Sequence, residues 1–236
     1  MSNRLISILV EGPTEAGVLR ALLQQYFADR DFRMKVTSLN GNVKWDRIVR
    51  ESVLLIKENS KETPNAITAT FFDYYGRSAK NQWPDFGAPA NQPVATLARG
   101  VETSLEEEVN KAFSQGGAQI RFIPHVQMHE LEALFFAQPE LLAEIFEQPE
   151  KKDELEACRA GGQGKLACEE INDSPRTAPS KRIEAIFSAY KKGSGQRSHA
   201  SRFAQRASLE VIRKECPLFS AWLEKIEAMG KAIPQP

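Results

Sequence analysis

No stretch of this 236-residue chain approaches eighteen consecutive apolar residues, so the sequence offers no membrane-spanning helix. Met1 runs almost at once into a short apolar segment, without the tripartite pattern of a cleavable signal. Cysteine is scarce. Cys158, Cys168 and Cys216 make an odd count with no C-x-x-C pair, which argues against a disulfide framework or a thiolate zinc site and for reduced thiols in a cytoplasmic protein. An excess of either charge is missing too: 31 Lys and Arg balance 31 Asp and Glu. This balance argues against a bulk electrostatic grip on nucleic acid. Also absent are the G-K-[ST] phosphate loop, the G-x-G-x-x-G dinucleotide turn and the G-x-S-x-G nucleophile elbow. No internal repeat or low-complexity tract is visible.

What is present is ordinary globular composition, 42% hydrophobic and 26% charged, enough for a real core. Leu5 to Val10 reads as a buried strand. Glu11, Gly12, Pro13 and Thr14 interrupt it. A helix then runs from Glu15 to about Ala28, with Val18, Leu19, Leu22, Leu23, Tyr26 and Phe27 along one face. Phe32–Val36 alternates as a second strand, and Asn40-Gly41-Asn42 is a turn. Trp45 to Ile56 marks a second helix, and Ala66–Phe72 a third strand ending at Asp73. A long loop over 74–95 leads to a helix from Val94 to Phe113, stopped by Gly116-Gly117. Gln119–Pro124 reads as a fourth strand and His129–Phe136 as the start of a further helix. This alternation predicts an α/β fold with a mostly parallel four-stranded sheet, Rossmann-like, flanked by helices. From about Pro139 onward only helical patterns appear. The expected division is an α/β domain over residues 1–138 and an all-helical extension over 139–236 packed on it.

Ligands of open parallel sheets bind beyond the carboxyl ends of the strands. Glu11 follows the first strand, Asp73 the third, and His129, Glu130 and Glu132 follow the fourth by a few residues. Glu15 lies one helical turn past Glu11 and is placed to reach the same spot. Carboxylates that converge without cations repel one another. A hard divalent cation relieves that repulsion, because Mg²⁺ takes one or two carboxylates plus waters and substrate phosphates. Such an ion can clamp a phosphodiester for in-line attack. Each signal is weak alone: an acid at a helix start is often a cap, and Asp commonly opens a turn. Glu130 and Glu132, two apart, would not face the same way on a helix. His129 is suited to orienting substrate or to acid–base work, or to a simple helix-start hydrogen bond.

Charge is segregated along the chain. Residues 102–156 hold thirteen acids and four bases, while residues 174–207 hold eight bases and one acid. Ser180 is positioned to cap a helix beginning at Lys181-Arg182 and ending at Lys191-Lys192. Lys181 and Arg182 in a first turn oppose the helix dipole unless they meet an anion. With Lys191, Arg197, Arg202 and Arg206 they are candidates for a phosphate-binding face. The alternative is that the two charged stretches neutralise each other.

Several motifs carry a resemblance. They are Val10-Glu11-Gly12-Pro13-Thr14-Glu15, Phe72-Asp73-Tyr74-Tyr75-Gly76, His129-Glu130-Leu131-Glu132-Ala133-Leu134-Phe135-Phe136, Ala178-Pro179-Ser180-Lys181-Arg182-Ile183 and the stretch from Cys216 to Leu223. Together they resemble the bacterial domain-of-unknown-function family numbered four-two-seven-six. That family resembles Toprim-type domains of topoisomerases, primases and overcoming-lysogenisation-type nucleases. The likeness implies a metal site built from a Glu after the first strand and an Asp-x-Asp after the third. Glu11 and Asp73 match, but Tyr75 stands where the second Asp would be. Glu132 or Glu130 is then the candidate for the missing carboxylate. The family is often encoded beside ABC- or SMC-type ATPases in phage-defence islands, which implies such a partner.

Three readings follow. The first is a Mg²⁺- or Mn²⁺-dependent nuclease in anti-phage defence, with Glu11, Asp73 and Glu132 or Glu130 at the metal. Glu15 would orient water, His129 would assist, and Lys181, Arg182, Lys191 and Arg197 would contact phosphates. The second is a non-catalytic regulatory subunit of an ABC/SMC-type ATPase, which Tyr75 favours. The third is an unrelated small-molecule α/β protein. Self-association is compatible with all three.

Overall fold

The computed structural model describes residues 4–76, 81–83, 92–113, 120–162, 164–171, 176–191 and 196–233. Strand β1 (Leu5–Val10) is buried along its whole length, as expected of a strand covered on both faces. Pro13 opens helix α1 (Pro13–Ala28) at the position where a missing N–H costs nothing. Strand β2 (Arg33–Ser38), helix α2 (Trp45–Glu62) and strand β3 (Ile67–Asp73) follow. Helix α3 (Val94–Lys111) leads to two short strands, β4 (Phe122–Ile123) and β5 (Val126–Gln127).

All pairings in this sheet are parallel, in the order β2-β1-β3-β4, with β5 also on β3. The chain moves from β1 outward to β2, then returns to the other side of β1 with β3. The carboxyl ends of β1 and β3 therefore flank the point where the direction of winding reverses, where such sheets open a crevice.

Both sheet faces are covered. Ile6, Ile8, Val10, Ile67, Ala69 and Phe71 face Val18, Leu19 and Leu23 of α1 together with Phe203, Phe219 and Leu223 from the C-terminal helices. Leu9, Phe72, Phe122 and Val126 face α2 and α3 through Trp45, Ile48, Leu55, Val101 and Leu105. Burying each such aliphatic or aromatic side chain stabilises the fold by about 1.5–3 kcal/mol. One cluster of buried side chains runs from Ile6 to Ile233, so the C-terminal helices share the core of the sheet.

These helices are α4 (Pro139–Ile145), α5 (Lys152–Ala157), α6 (Pro179–Ile186), α7 (Gln196–Arg206), α8 (Leu209–Glu215) and α9 (Pro217–Lys231). The extension is not purely helical, because Ala160–Gly161 (β6) and Gly164–Lys165 (β7) form a small antiparallel hairpin. No helix among the described residues is long and apolar enough to cross a membrane.

Four local expectations are corrected. The fourth strand is two strands, because Pro124 has no N–H to give a ladder and the His125 N–H donates to Thr70 Oγ1 at 3.1 Å. His129 does not start an α-helix: its φ of +65° is left-handed, and Leu131–Ala137 forms a 3₁₀ helix instead. Ser180 is not a cap. Pro179 already occupies the first turn of α6, after Ala178. That helix stops at Ile186 and so does not reach Lys191, while Lys192, the Gly116-Gly117 stop and most of the 74–95 loop lie outside the described residues.

Candidate active site at the carboxyl edge of the sheet

Val10 faces Phe71 across the β1–β3 ladder. Glu11 is thus level with Phe72, and Asp73 stands one residue further along the neighbouring strand. Strands in such a ladder run about 4.8 Å apart. Both acids are half-buried. The Glu11 backbone is fixed by the turn after β2, where Asn40, Gly41 and Asn42 all have positive φ. Asn and Gly are the residues that tolerate that region. The turn brings the Gly41 N–H to Glu11 O at 2.9 Å. Glu15 is buried in the first turn of α1, its carboxylate folded over Gly12 so closely that a Cβ there would lie 2.8 Å from Glu15 Oε2. Glycine at position 12 makes room for that acid.

On the other side of Asp73 lies β5, with Asp73 opposite Gln127. Three residues of the following segment then diverge. His129 is only 6% exposed, and neither ring nitrogen has a hydrogen-bond partner. Burial drives its pKa down to about 4, with Glu130 pulling weakly the other way. Glu130 Oε2 accepts the Ser180 N–H at 2.9 Å. Glu132 is fully buried and Oε1 accepts the Tyr190 hydroxyl at 2.5 Å. Burial, and then Glu132, raise the Tyr190 pKa. Both acids of the doublet therefore engage α6 and the segment after it. This places Glu130 and Glu132 in a polar seam between the sheet edge and the C-terminal half. The signal that could have found the first contact is Pro179, which marks a helix start whose early N–H groups need acceptors.

The basic residues are spread out. Lys181 pairs with Glu184 at 2.7 Å, the half-buried Arg182 donates to Thr177 O at 2.9 Å, and Arg206 pairs with Glu144 at 2.5 Å. Lys191 is exposed one residue past Tyr190, and Arg197 and Arg202 are exposed on α7.

Sequence reasoning missed a second polar cluster. The fully buried His125 sits with Nδ1 3.3 Å from Glu102 Oε1 and stacks on Trp222 at 5.2 Å. Burial alone would raise the Glu102 pKa, but His125, Lys225 and the Val126 N–H together lower it. Glu169, also buried, accepts the N–H groups of Leu218 and Phe219 at 2.7 and 2.8 Å, in the first turn of α9. These partners lie at least 23 residues apart, and no local pattern announces them.

A family model described as a domain of unknown function (DUF4276) matches residues 10–227. The chain belongs to this family. The DUF4276 match takes in Glu11, Glu15, Asp73, Tyr75, His129, Glu130 and Glu132. No curated protein matches the chain. Among solved structures, the C-terminal region of the OLD protein of Xanthomonas campestris pv. campestris is similar at 16% identity, covering 98% of this chain and 97% of that one with a TM-score of 0.46. The C-terminal region of the Burkholderia pseudomallei OLD protein is similar at 13% identity, covering 99% and 100% of the two chains, again with a TM-score of 0.46.

The donor set bears on what the edge can hold. Glu11, Glu15 and Asp73 offer only carboxylate oxygens, which suit hard cations. Among the described residues no three His, Cys, Asp or Glu side chains form a ready cluster. The described residues of the edge therefore do not fit an ion caged by protein on all sides; a hard cation held there would have to keep waters.

Proposed function

We propose that the protein is a metal-dependent phosphodiesterase of Toprim type acting on nucleic acid. The observation that carries this reading is the placement of Glu11 and Asp73 at the carboxyl ends of neighbouring parallel strands, at the reversal point of the sheet. A bound Mg²⁺ or Mn²⁺ would supply charge neutralisation at the scissile phosphate and a more acidic water. Glu11 and Asp73 would hold the cation. Glu15, turned back over Gly12, lies one turn away and is suited to orienting water. Lys191 and Arg197, both exposed, are available to phosphates further along a strand.

The test is cleavage of plasmid, single-stranded DNA and RNA with each metal. Glu11→Gln and Asp73→Asn should each lower the rate on the order of 10²–10³-fold, with melting temperatures near that of the wild type. Metal alone should stabilise the wild type by about 2.7 kcal/mol at 100 times its Kd. Variants that cut at the wild-type rate would overturn the reading.

Tyr75 supports a second reading, a non-catalytic regulatory subunit of an ABC/SMC-type ATPase, because an aromatic ring occupies a position that the Toprim resemblance assigns to a carboxylate. Under that reading neither metal shifts the melting curve and no substrate is cut.

A further inference from the structure

Strands β4 and β5 form the outer edge of the sheet on the far side of β3. In the β3–β4 ladder the Thr68 N–H donates to Arg121 O at 2.8 Å, and Phe122 and Ile123 lie opposite Thr68 and Ala69. Successive residues of a strand turn their N–H and C=O groups to opposite sides. Arg121 and Ile123 thus bond towards β3, and the N–H and C=O of Phe122 point away from it. On β5 the matching position is Val126, beside the Phe72 N–H to His125 O bond. There the outward N–H donates to the Glu102 carboxylate at 3.2 Å. A side chain of α3 caps the edge at Val126; among the described residues none caps it at Phe122. Buried backbone polar groups are ordinarily paired.

Beside Phe122 the edge opens into a trough of about 660 Å³, floored by residues 120–124. One wall is α3, through Arg99, Thr103 and Glu106; the other is α9, through Lys225, Ala228 and Ala232. Each set has the spacing of one helix face over two turns, about 10 Å. All six wall residues are exposed, while Phe122, Ile123 and Pro124 are buried. The strand edge is therefore recessed between two helices. The Phe122 ring belongs to the core shared with α2 and α3, which leaves its main chain to border the trough.

An open strand edge accepts another strand. A second copy of β4 would bring its own α3 and α9, and the two pairs of walls would meet before the edges did. A single extended segment without flanking helices fits. Its charge follows from the walls. Glu102 is engaged by His125 and Lys225, at 3.3 and 3.7 Å. Arg99 and Arg121 have no ion pair among the described residues and face one such acid, Glu106, so the trough is left net positive. Ala228 and Ala232 leave space for apolar side chains.

We propose that the β4 edge is a docking site for an extended acidic segment of a partner protein, which adds a strand to the sheet beside Phe122. Main-chain bonds to Phe122 supply the grip, and alternate side chains meet Arg99 on one wall and Ala228 and Ala232 on the other. The site is separate from the carboxylates of the phosphodiesterase reading, and its occupation is measurable without metal.

The experiment is fluorescence anisotropy of the full chain with a labelled hexapeptide, Glu-Val-Glu-Val-Glu-Val, set against Lys-Val-Lys-Val-Lys-Val. The acidic peptide should bind about 10-fold or more tighter. Arg99→Glu should weaken it about 5- to 20-fold, and Glu106→Gln should tighten it about 2- to 5-fold. Ala228→Trp, which fills the trough from an exposed position, should weaken it about 10-fold or more. Two further peptides carry N-methyl groups on the glutamates or on the valines; one of them should lose binding, because its blocked N–H groups face the strand edge. Equal binding of acidic and basic peptides overturns the proposal, as does no binding at about 1 mM peptide. So do two methylated peptides that both bind like the parent, or an Ala228→Trp variant that melts normally and binds unchanged. If Ala228→Trp melts early, Ala232→Trp carries the test on the same wall. A wild-type dimer in sedimentation velocity that Ala228→Trp dissociates would give the trough to a second copy and overturn the acidic segment.

Discussion

His125 and His129 stand four residues apart, one on each side of β5 along the chain, and the structure treats them oppositely. His125 is fully buried, close to Glu102 and Gln127, and stacked on Trp222. Its surroundings use it as a core residue that joins α3, the break between β4 and β5, and α9. His129 is almost as buried, yet it has a strained backbone and two unbonded nitrogens. The lesson is that residue type and burial do not separate a structural histidine from a spare one. The supply of partners does. Glu169 and Glu130 extend the contrast to carboxylates. Each accepts backbone N–H groups at a helix start, but Glu130 does so beside the strand ends that carry Asp73 and His129.

The comparison breaks most sharply by truncation. His125→Ala should cost about 4 kcal/mol of stability, from a void among Phe71, Phe219 and Trp222 and a half-buried Glu102 left short of a partner. His129→Asn should lie within about 1 kcal/mol of the wild type, because Asn accepts the left-handed backbone and little internal bonding is lost. Urea unfolding of both variants checks the pair; equal losses would erase the distinction.

Acid sharpens it next. The His129 pKa falls from its ordinary 6.5 to about 4 in the fold. Between those values the unfolded chain binds a proton that the fold does not. Stability therefore decreases as pH drops through that window, by about 3 kcal/mol in all. His129→Asn should show a flatter curve between pH 6.5 and 4, as read by chemical denaturation at each pH.

The smallest effect concerns Glu169. Burial pushes its carboxyl above the usual range, while His125 and two backbone N–H groups pull it back. Glu169→Gln keeps one accepting oxygen at the start of α9 and relieves the buried charge, so the net cost should be about 1 kcal/mol. A thermal melt shift beyond several degrees would show that the carboxylate matters more than its position suggests.

Much of the fold was legible in the residues. Apolar runs such as Leu5–Val10 announce strands buried on both faces, and the spacing of Val18, Leu19, Leu22 and Leu23 announces α1. Pro13 marks where that helix starts. Those same boundaries put Glu11 and Asp73 at strand ends. The β4–β5 break was not legible, because two-residue strands carry no periodicity and Pro124 looks like an ending rather than an interruption. Nor was the left-handed turn at His129, since a bulky residue seldom adopts it and local propensity favours the helix.

The sequence by itself thus determined the alternation of strands and helices, the neutral charge balance and the two acids at the carboxyl ends of β1 and β3. Short-range patterning suffices for these, because period and strand ends are properties of consecutive residues. Only the tertiary structure decided the destinations of the remaining polar groups. Glu130 meets Ser180 fifty residues away, Glu132 meets Tyr190 fifty-eight away, and Tyr75 meets His129 through the β3–β5 pairing. Such partners are chosen by which surfaces the core brings together, and each buried polar group must find its partner there or be left without one.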